Sequence, residues 1–267
     1  MGVIGIVQEA LSLARTTLEQ LGTGARHVVE DARVVDISTV GDRVVSDSLL
    51  RFFRESGIPA VLFSEESGRT DLAAHPEYTV VFDDIDGTDN YHRGEGILPY
   101  CTVIAILDGA EPRFRDAVAA GIIEHRTGNT WTAERGAGAF LNGVQVHVSK
   151  RSLLDRHTLV MVDHYAAAVD VVRLEALYPA AWVKDFGSAA LHLAGVSSGM
   201  FDAYVNPRQK SHEIAAGHLL IREAGGVVRD FSGNAFDGRP FDFDATYDVI
   251  AAANSSISES IRVLIRR

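Results

Sequence analysis

Asp83-Asp84-Ile85-Asp86-Gly87-Thr88 is the stretch on which the reading of this chain turns. It leaves the apolar, β-branched run Tyr78-Thr79-Val80-Val81-Phe82, which reads as a strand, and ends in a Gly-Thr pair suited to a turn. Two carboxylates three residues apart, Asp83 and Asp86, therefore converge on a strand end. Crowded acids repel one another unless something cationic sits between them. Small residues opening toward a helix offer backbone N–H donors to an anion. Divalent cations beside a phosphate site account for every residue of the run. A solvated acidic turn is the plainer alternative.

Acids recur in matching places elsewhere. The short apolar run Val61-Leu62-Phe63 leads directly into Ser64-Glu65-Glu66. Asp42, six residues after Asp36, opens a helix expected over 42–56, and Glu213 opens another over 213–224. Each has a plain reading of its own: exposed loop for the Glu pair, helix cap for Asp42 and Glu213. Together, four segments place an acid at a strand end or helix start. Hard ions such as Mg²⁺ take carboxylate, carbonyl and water oxygens. Two of them about 4 Å apart can clamp the attacking and leaving oxygens of a phosphoryl displacement.

The rest of the chain alternates strands and helices. Ile6, Ala10, Leu13, Ala14, Leu18 and Leu21 recur at helical spacing over 3–21, ended by Gly22. Strands are expected at 78–83, 100–107 and 117–124. Hairpin sequence follows through Gly136-Ala137-Gly138 and Asn142-Gly143 to Val144–Val148. Beyond 150 the expected order is strand 158–162, helix 165–178, strand 181–186, helix 189–197, strand 203–205, helix 213–224, strand 227–230, strand 248–253 and helix 256–266. The pattern is α/β (α+β). No Pro/Ser linker separates the halves, so two lobes sharing a cleft are expected. Residues 1–150 form an α+β lobe with antiparallel sheet and most of the metal ligands, and 151–267 form an α/β lobe.

Bulk properties narrow the function. The 267 residues are 46% hydrophobic and 23% charged with net charge −11, which disfavours a nucleic-acid polymer as partner. Cys101 is the sole cysteine, and the ten histidines show no His-x-His or His-x-x-x-His spacing with acidic neighbours, so a His-dominated zinc site is not expected. No run reaches 18 apolar residues and no cleavage or lipidation pattern is read at the start, so a cytoplasmic protein with no membrane partner is expected. Gly187-Ser188 lacks the flanking glycines of a nucleophile elbow, and the Gly136-Ala137-Gly138 run lacks the third glycine of a dinucleotide site.

Taken in order, these motifs resemble the inositol monophosphatase family of Mg²⁺-dependent, Li⁺-sensitive phosphatases, which includes fructose-1,6-bisphosphatases. Asp83–Asn90 is similar to the family's D-P-[IL]-D-G-[ST]-x-N, Ser64-Glu65-Glu66 to its G-E-E, and Gly136–Gly143 to its G-x-G-A-F-x-N-G. Gly187-Ser188-Ala189-Ala190 and Ile214 through Gly226 resemble its second signature. The resemblance implies a layered α/β/α/β/α sandwich, a homodimer, and two or three Mg²⁺ ions with Mn²⁺ as a substitute. It implies Glu65, Asp83 and the Ile85 carbonyl at the first ion, and Asp83, Asp86 and Glu213 at the second. Asp42 would orient Thr88; Glu65 and Thr88 would position the attacking water. Gly87, Thr88, Gly187, Ser188, Ala189, Asn206 and Arg208 would meet the substrate.

Four departures stand out. His212-Glu213 replaces the family's usual W-D, and Asp84 replaces its Pro. Asp89 and the segment 92–98 reshape the mouth. Asn206 stands where animal enzymes carry the Glu that reads inositol, and Asn206–Lys210 is closer to archaeal enzymes with dual specificity, so Arg208 or Lys210 is a candidate contact for a second phosphate. The expected activity is phosphomonoester hydrolysis on a small phosphorylated polyol, sugar or nucleoside. The alternatives are a sugar bisphosphatase and, from another class, a non-catalytic regulator on the same fold.

Overall fold

A computed structural model describes residues 2–29, 37–94, 97–163 and 173–266. Most of the helix expected at 165–178 lies outside the described residues, as does Asp36.

The first helix, α1 (Val3–Leu21), buries Ile6, Val7, Ala10, Leu11, Ala14 and Leu18 along one face and ends at Gly22, whose φ of 62° lies in the left-handed region. Helix α2 (Val40–Ser56) starts with a capping box between Thr39 and Asp42. Both pack on one face of an eight-stranded sheet of order β2-β1-β3-β4-β5-β6-β7-β8. Its strands are β1 (Ala60–Ser64), β2 (Gly68–Asp71), β3 (Tyr78–Asp86), β4 (Cys101–Asp108), β5 (Ala117–Glu124), β6 (Thr130–Glu134), β7 (Gly138–Leu141) and β8 (Val144–Val146). The expected antiparallel character holds except for β1 and β3, which run parallel.

On the other face lie α4 (Ala189–Ser197) and α5 (Ser211–Glu223). A second sheet covers them, of order β10-β9-β11-β13-β12, built from β9 (Leu159–Val162), β10 (Trp182–Lys184), β11 (Ala203–Lys210), β12 (Val227–Arg229) and β13 (Thr246–Ala252). Helix α6 (Ser255–Ile265) closes the far side, so the order of layers is the expected α/β/α/β/α.

A middle layer touches sheet on both sides and cannot be amphipathic. Every residue of α4 is buried, as are Ser211 through Ile221 of α5. The two helices approach through Gly217, where a Cβ would stand 2.6 Å from Leu193 Cδ1. His212 and Glu213, in the first turn of α5, lie at the end where the other acids converge.

Two departures from the sequence reading concern β-structure. Strand β2 was not expected, and β11 runs five residues past the expected 203–205, through Pro207. A register shift between Asn206 and Gln209 absorbs the proline, and Arg208 within it adopts φ 54°. Asp248, at the start of the expected strand 248–253, lies within β13, which begins two residues earlier, and its Oδ1 accepts the Arg208 N–H at 3.2 Å.

Candidate metal centre and active site

Strand β3 delivers its two acids to one place by an irregularity. Asp83 pairs with Val103, but Asp86 pairs with Cys101, so β3 advances three residues while β4 retreats two. In a regular strand a three-residue offset puts side chains on opposite faces; one extra residue restores the same face. The chain then turns at Gly87, φ 86°, where a Cβ would meet the Gly187 carbonyl at 3.0 Å. Helix α3 (Thr88–Arg93) follows. Asn90 Nδ2 lies 2.8 Å from Pro99 O and 2.6 Å from Phe186 O, tying this turn to the loop before α4.

Two groups of donors meet here and share Asp83. The inner group is Asp83, Asp86 and Glu213, all buried; the outer is Glu65, exposed to the cleft, with Asp83 and His212. Within each group the donor atoms lie within 4.8 Å of one another. Glu65 hangs from the end of β1, and His212 and Glu213 are consecutive in the first turn of α5.

Their electrostatics differ. Burial, with the charge of Asp83 next, pushes the Asp86 carboxyl up to about 6, although Ser188 Oγ (2.5 Å) and the Ala190 N–H (2.8 Å) donate to it. Burial and then Asp86 hold Glu213 well above the usual carboxylate range, and its Oε2 has no hydrogen-bond partner. Asp83 is raised by burial and by Glu65. At Glu65 the loss of water also pushes upward, but Lys210 and His212 outweigh it and hold the carboxyl below its ordinary value. Lys210 Nζ sits 2.5 Å from Glu65 Oε1.

Asp42 serves two ends. Its Oδ2 accepts from the Thr39 N–H (2.7 Å) and hydroxyl (2.5 Å), which is the helix-capping role, while Oδ1 lies 3.3 Å from Thr88 Oγ1. Thr88 Oγ1 donates to the Ile85 carbonyl at 2.8 Å. Burial above all raises Asp42 to about 7. Asp84 also lines the cleft; its Oδ2 accepts from Ser64 Oγ at 3.3 Å, its Oδ1 has no hydrogen-bond partner, and burial followed by Asp83 lifts its carboxyl far above normal.

All of this faces one cleft of about 940 Å³. Asp42, Glu65, Asp83, Ile85, Asp86, Gly87, Thr88 and Glu213 line it, joined by Gly187, Asn206 and Arg208. Ser188 and Ala189 are buried instead, with the Ser188 hydroxyl spent on Asp86. Sequence reasoning passed over Asp163, which lines the cleft just after β9 and carried the same signal as the others, an acid at a strand end. It noted His212 only as a replaced Trp, and Lys210 only as a substrate contact. The donor chemistry fits divalent cations: several buried carboxyls converge with raised affinity for protons, and a buried carboxylate oxygen lacks any partner.

The family model described as the inositol monophosphatase family matches residues 2–266. The chain belongs to that family. This places it among phosphoric monoester hydrolases. A "Nus factor SuhB" from Xylella fastidiosa is 35% identical over 215 residues, 78% of this chain and 73% of the relative. A fructose-1,6-bisphosphatase/inositol-1-monophosphatase from Methanothermobacter thermautotrophicus is 30% identical, with 82% and 80% covered. Human inositol monophosphatase 1 is 28% identical, with 95% and 93% covered. Among solved structures, the extragenic suppressor protein suhB of Bartonella henselae shares the fold at TM-score 0.85 and 24% identity, covering 99% of this chain and 98% of that one. Among the described residues, no helix is long and apolar enough to cross a membrane.

Proposed function

We propose that this protein is a Mg²⁺-dependent phosphomonoesterase of small phosphorylated polyols, sugars or nucleosides, acting by attack of water on the ester phosphorus. One observation carries the reading: a single buried carboxylate, Asp83, belongs to two three-donor groups at once. Glu65, Asp83 and the Ile85 carbonyl would hold one ion, and Asp83, Asp86 and Glu213 a second; a third near Asp42, and Mn²⁺ in place of Mg²⁺, belong to the same reading. When bound, such ions polarise phosphoryl oxygens and acidify water.

The chain's own groups do the positioning, which is most of phosphoryl transfer. Thr88 Oγ1, set between the Ile85 carbonyl and Asp42 Oδ1, faces the cleft where a water would be oriented, with Glu65 opposite. With a carboxyl raised to about 7, Asp42 can take up a proton near neutrality. The first-turn N–H groups at Gly87 and Thr88 are placed to receive phosphate oxygens. Arg208, held at the rim by its strained backbone, would read the far side of the substrate with Asn206, while Gly187 lines the cleft and Ser188 and Ala189 lie buried behind it.

Both stretches 37–89 and 163–246 contribute to the cleft, in keeping with two lobes, 1–150 and 151–267, that meet there. We read the working form as a cytoplasmic homodimer; exposed Tyr178 and Trp182, beside and on the edge strand β10, offer apolar surface for a second copy.

Purified protein with Mg²⁺ and a panel of mono- and bisphosphorylated metabolites tests this. Phosphate release that a chelator abolishes and lithium depresses is expected. Thr88→Ala should lower kcat roughly 100-fold with KM little changed. Release on no ester would move the chain to the non-catalytic class. A bisphosphate preference lost in Arg208→Ala would make it a sugar bisphosphatase.

A further inference from the structure

We propose that His212 is a further protein donor to the outer ion, joining Glu65, Asp83 and the Ile85 carbonyl, and that its nitrogen shifts the site's preference from Mg²⁺ toward borderline ions such as Co²⁺ and Zn²⁺. The proposal rests on reading the cleft as a metal centre and concerns which ions that centre selects.

Geometry points there first. His212 Nε2 lies 3.6 Å from Glu65 Oε2 and 3.6 Å from Asp83 Oδ2, so one ring nitrogen faces both carboxylates. The side chain is 4% exposed, and neither ring nitrogen makes a hydrogen bond. A buried imidazole nitrogen that stands 3.6 Å from two carboxylates without a hydrogen bond to either is poorly satisfied. A cation between these three groups would supply a partner.

The ring is also held in place. It packs against Phe243 at 5.2 Å between centroids, and Phe243 stacks on Phe63 at 5.4 Å. Phe63 sits two residues before Glu65 on β1. One aromatic column therefore fixes the spacing between the strand that carries Glu65 and the helix that carries His212. Stacking orients this ring where a hydrogen bond to the second nitrogen does so in most metal-binding histidines.

Charge and softness set the consequence. Lys210 engages Glu65 Oε1 and leaves Oε2 turned to His212, so the outer group already carries a protein cation. A neutral nitrogen adds a ligand without adding negative charge. Carboxylate oxygens suit Mg²⁺, whereas imidazole favours Zn²⁺ and its transition-metal neighbours, with affinity rising from Mn²⁺ to Co²⁺. The inner group has no nitrogen, so the two ions would differ in kind.

Calorimetric titration with Mg²⁺ and with Co²⁺, run on the wild type and on His212→Phe, tests this. Phe keeps the contact with Phe243. His212→Gln repeats the measurement if the first variant does not fold. The expected result is a loss of roughly tenfold or more in Co²⁺ affinity, with Mg²⁺ affinity changed by less than about threefold. In the Co²⁺-loaded wild type, proton NMR should show a paramagnetically shifted, exchangeable imidazole N–H that disappears in the variant. An unchanged ratio of Co²⁺ to Mg²⁺ affinity, or a shifted N–H that persists, overturns the assignment of His212 and leaves the metal centre standing. A wild type that binds neither ion overturns both.

Discussion

The inner and outer donor groups share Asp83 and otherwise have little in common. Asp86 and Glu213 are walled in by α4 and α5, have mostly acids as charged company, with Lys210 offsetting them only in part at Glu213, and hold their protons more tightly than free carboxyls. Glu65 opens to the cleft with Lys210 on one oxygen and His212 facing the other, and holds its proton less tightly. The protein has thus placed most of its positive charge at one group, and the other receives too little to bring its carboxyls back to their ordinary values. A cation would favour the ionised form of the inner group, and would only add to a balance that already exists in the outer one.

Removing the shared member should therefore do the most damage. Asp83→Asn takes one negative charge from both groups, and Mg²⁺-dependent phosphate release should fall about a thousandfold, ~4 kcal/mol of barrier. Glu65→Gln touches the outer group alone and should cost less. Steady-state rates across a Mg²⁺ series compare the two. Equal losses would mean that the groups are not two sites with a common ligand.

Much of this contrast was legible in the sequence, for identifiable reasons. Asp83, Asp86, Glu65, Asp42 and Glu213 announced themselves as acids at strand ends and helix starts, and all five line the cleft. The elements followed from apolar periodicity, most clearly in α1 and in the hairpins of β6 to β8, while the order of layers was implied by the family resemblance alone. Two features hid. The bulge that puts Asp83 and Asp86 on one face depends on how β4 pairs, which no local pattern in β3 records. The cations of the outer group were obscured by β11: its polar, proline-containing end, Asn206–Lys210, reads as loop, yet as strand it carries Lys210 to Glu65 and starts α5 where His212 reaches the acids.

A smaller change sharpens the comparison. Lys210→Gln removes the outer group's own cation, so a divalent ion there no longer meets a like charge. Because Lys210 is more than a third exposed, solvent screens the effect, and binding should tighten by only roughly threefold, under ~1 kcal/mol. Calorimetry should assign the gain to one class of ion, with the other unmoved. A gain in both would tie the two groups electrostatically.

Acid should act on the inner group in the opposite direction. The Asp86 carboxyl is raised from its usual value to about 6, so between those limits the folded chain holds a proton that the unfolded chain has released. Its contribution to metal-free stability is therefore present at low pH and is lost as pH rises through 6. Buried His192, pushed down to about 4 by loss of water, works the other way: its Nε2 accepts the Phe186 N–H at 3.0 Å, and its contribution fades as pH falls from 6.5 toward 4. Of these two groups, only Asp86 competes with a cation. Saturating Mg²⁺ should accordingly raise Tm by several degrees at pH 7.5 and by about half as much at pH 5.5, where protons already neutralise Asp86. Equal shifts at both pH values would place the stabilising ion outside the inner group.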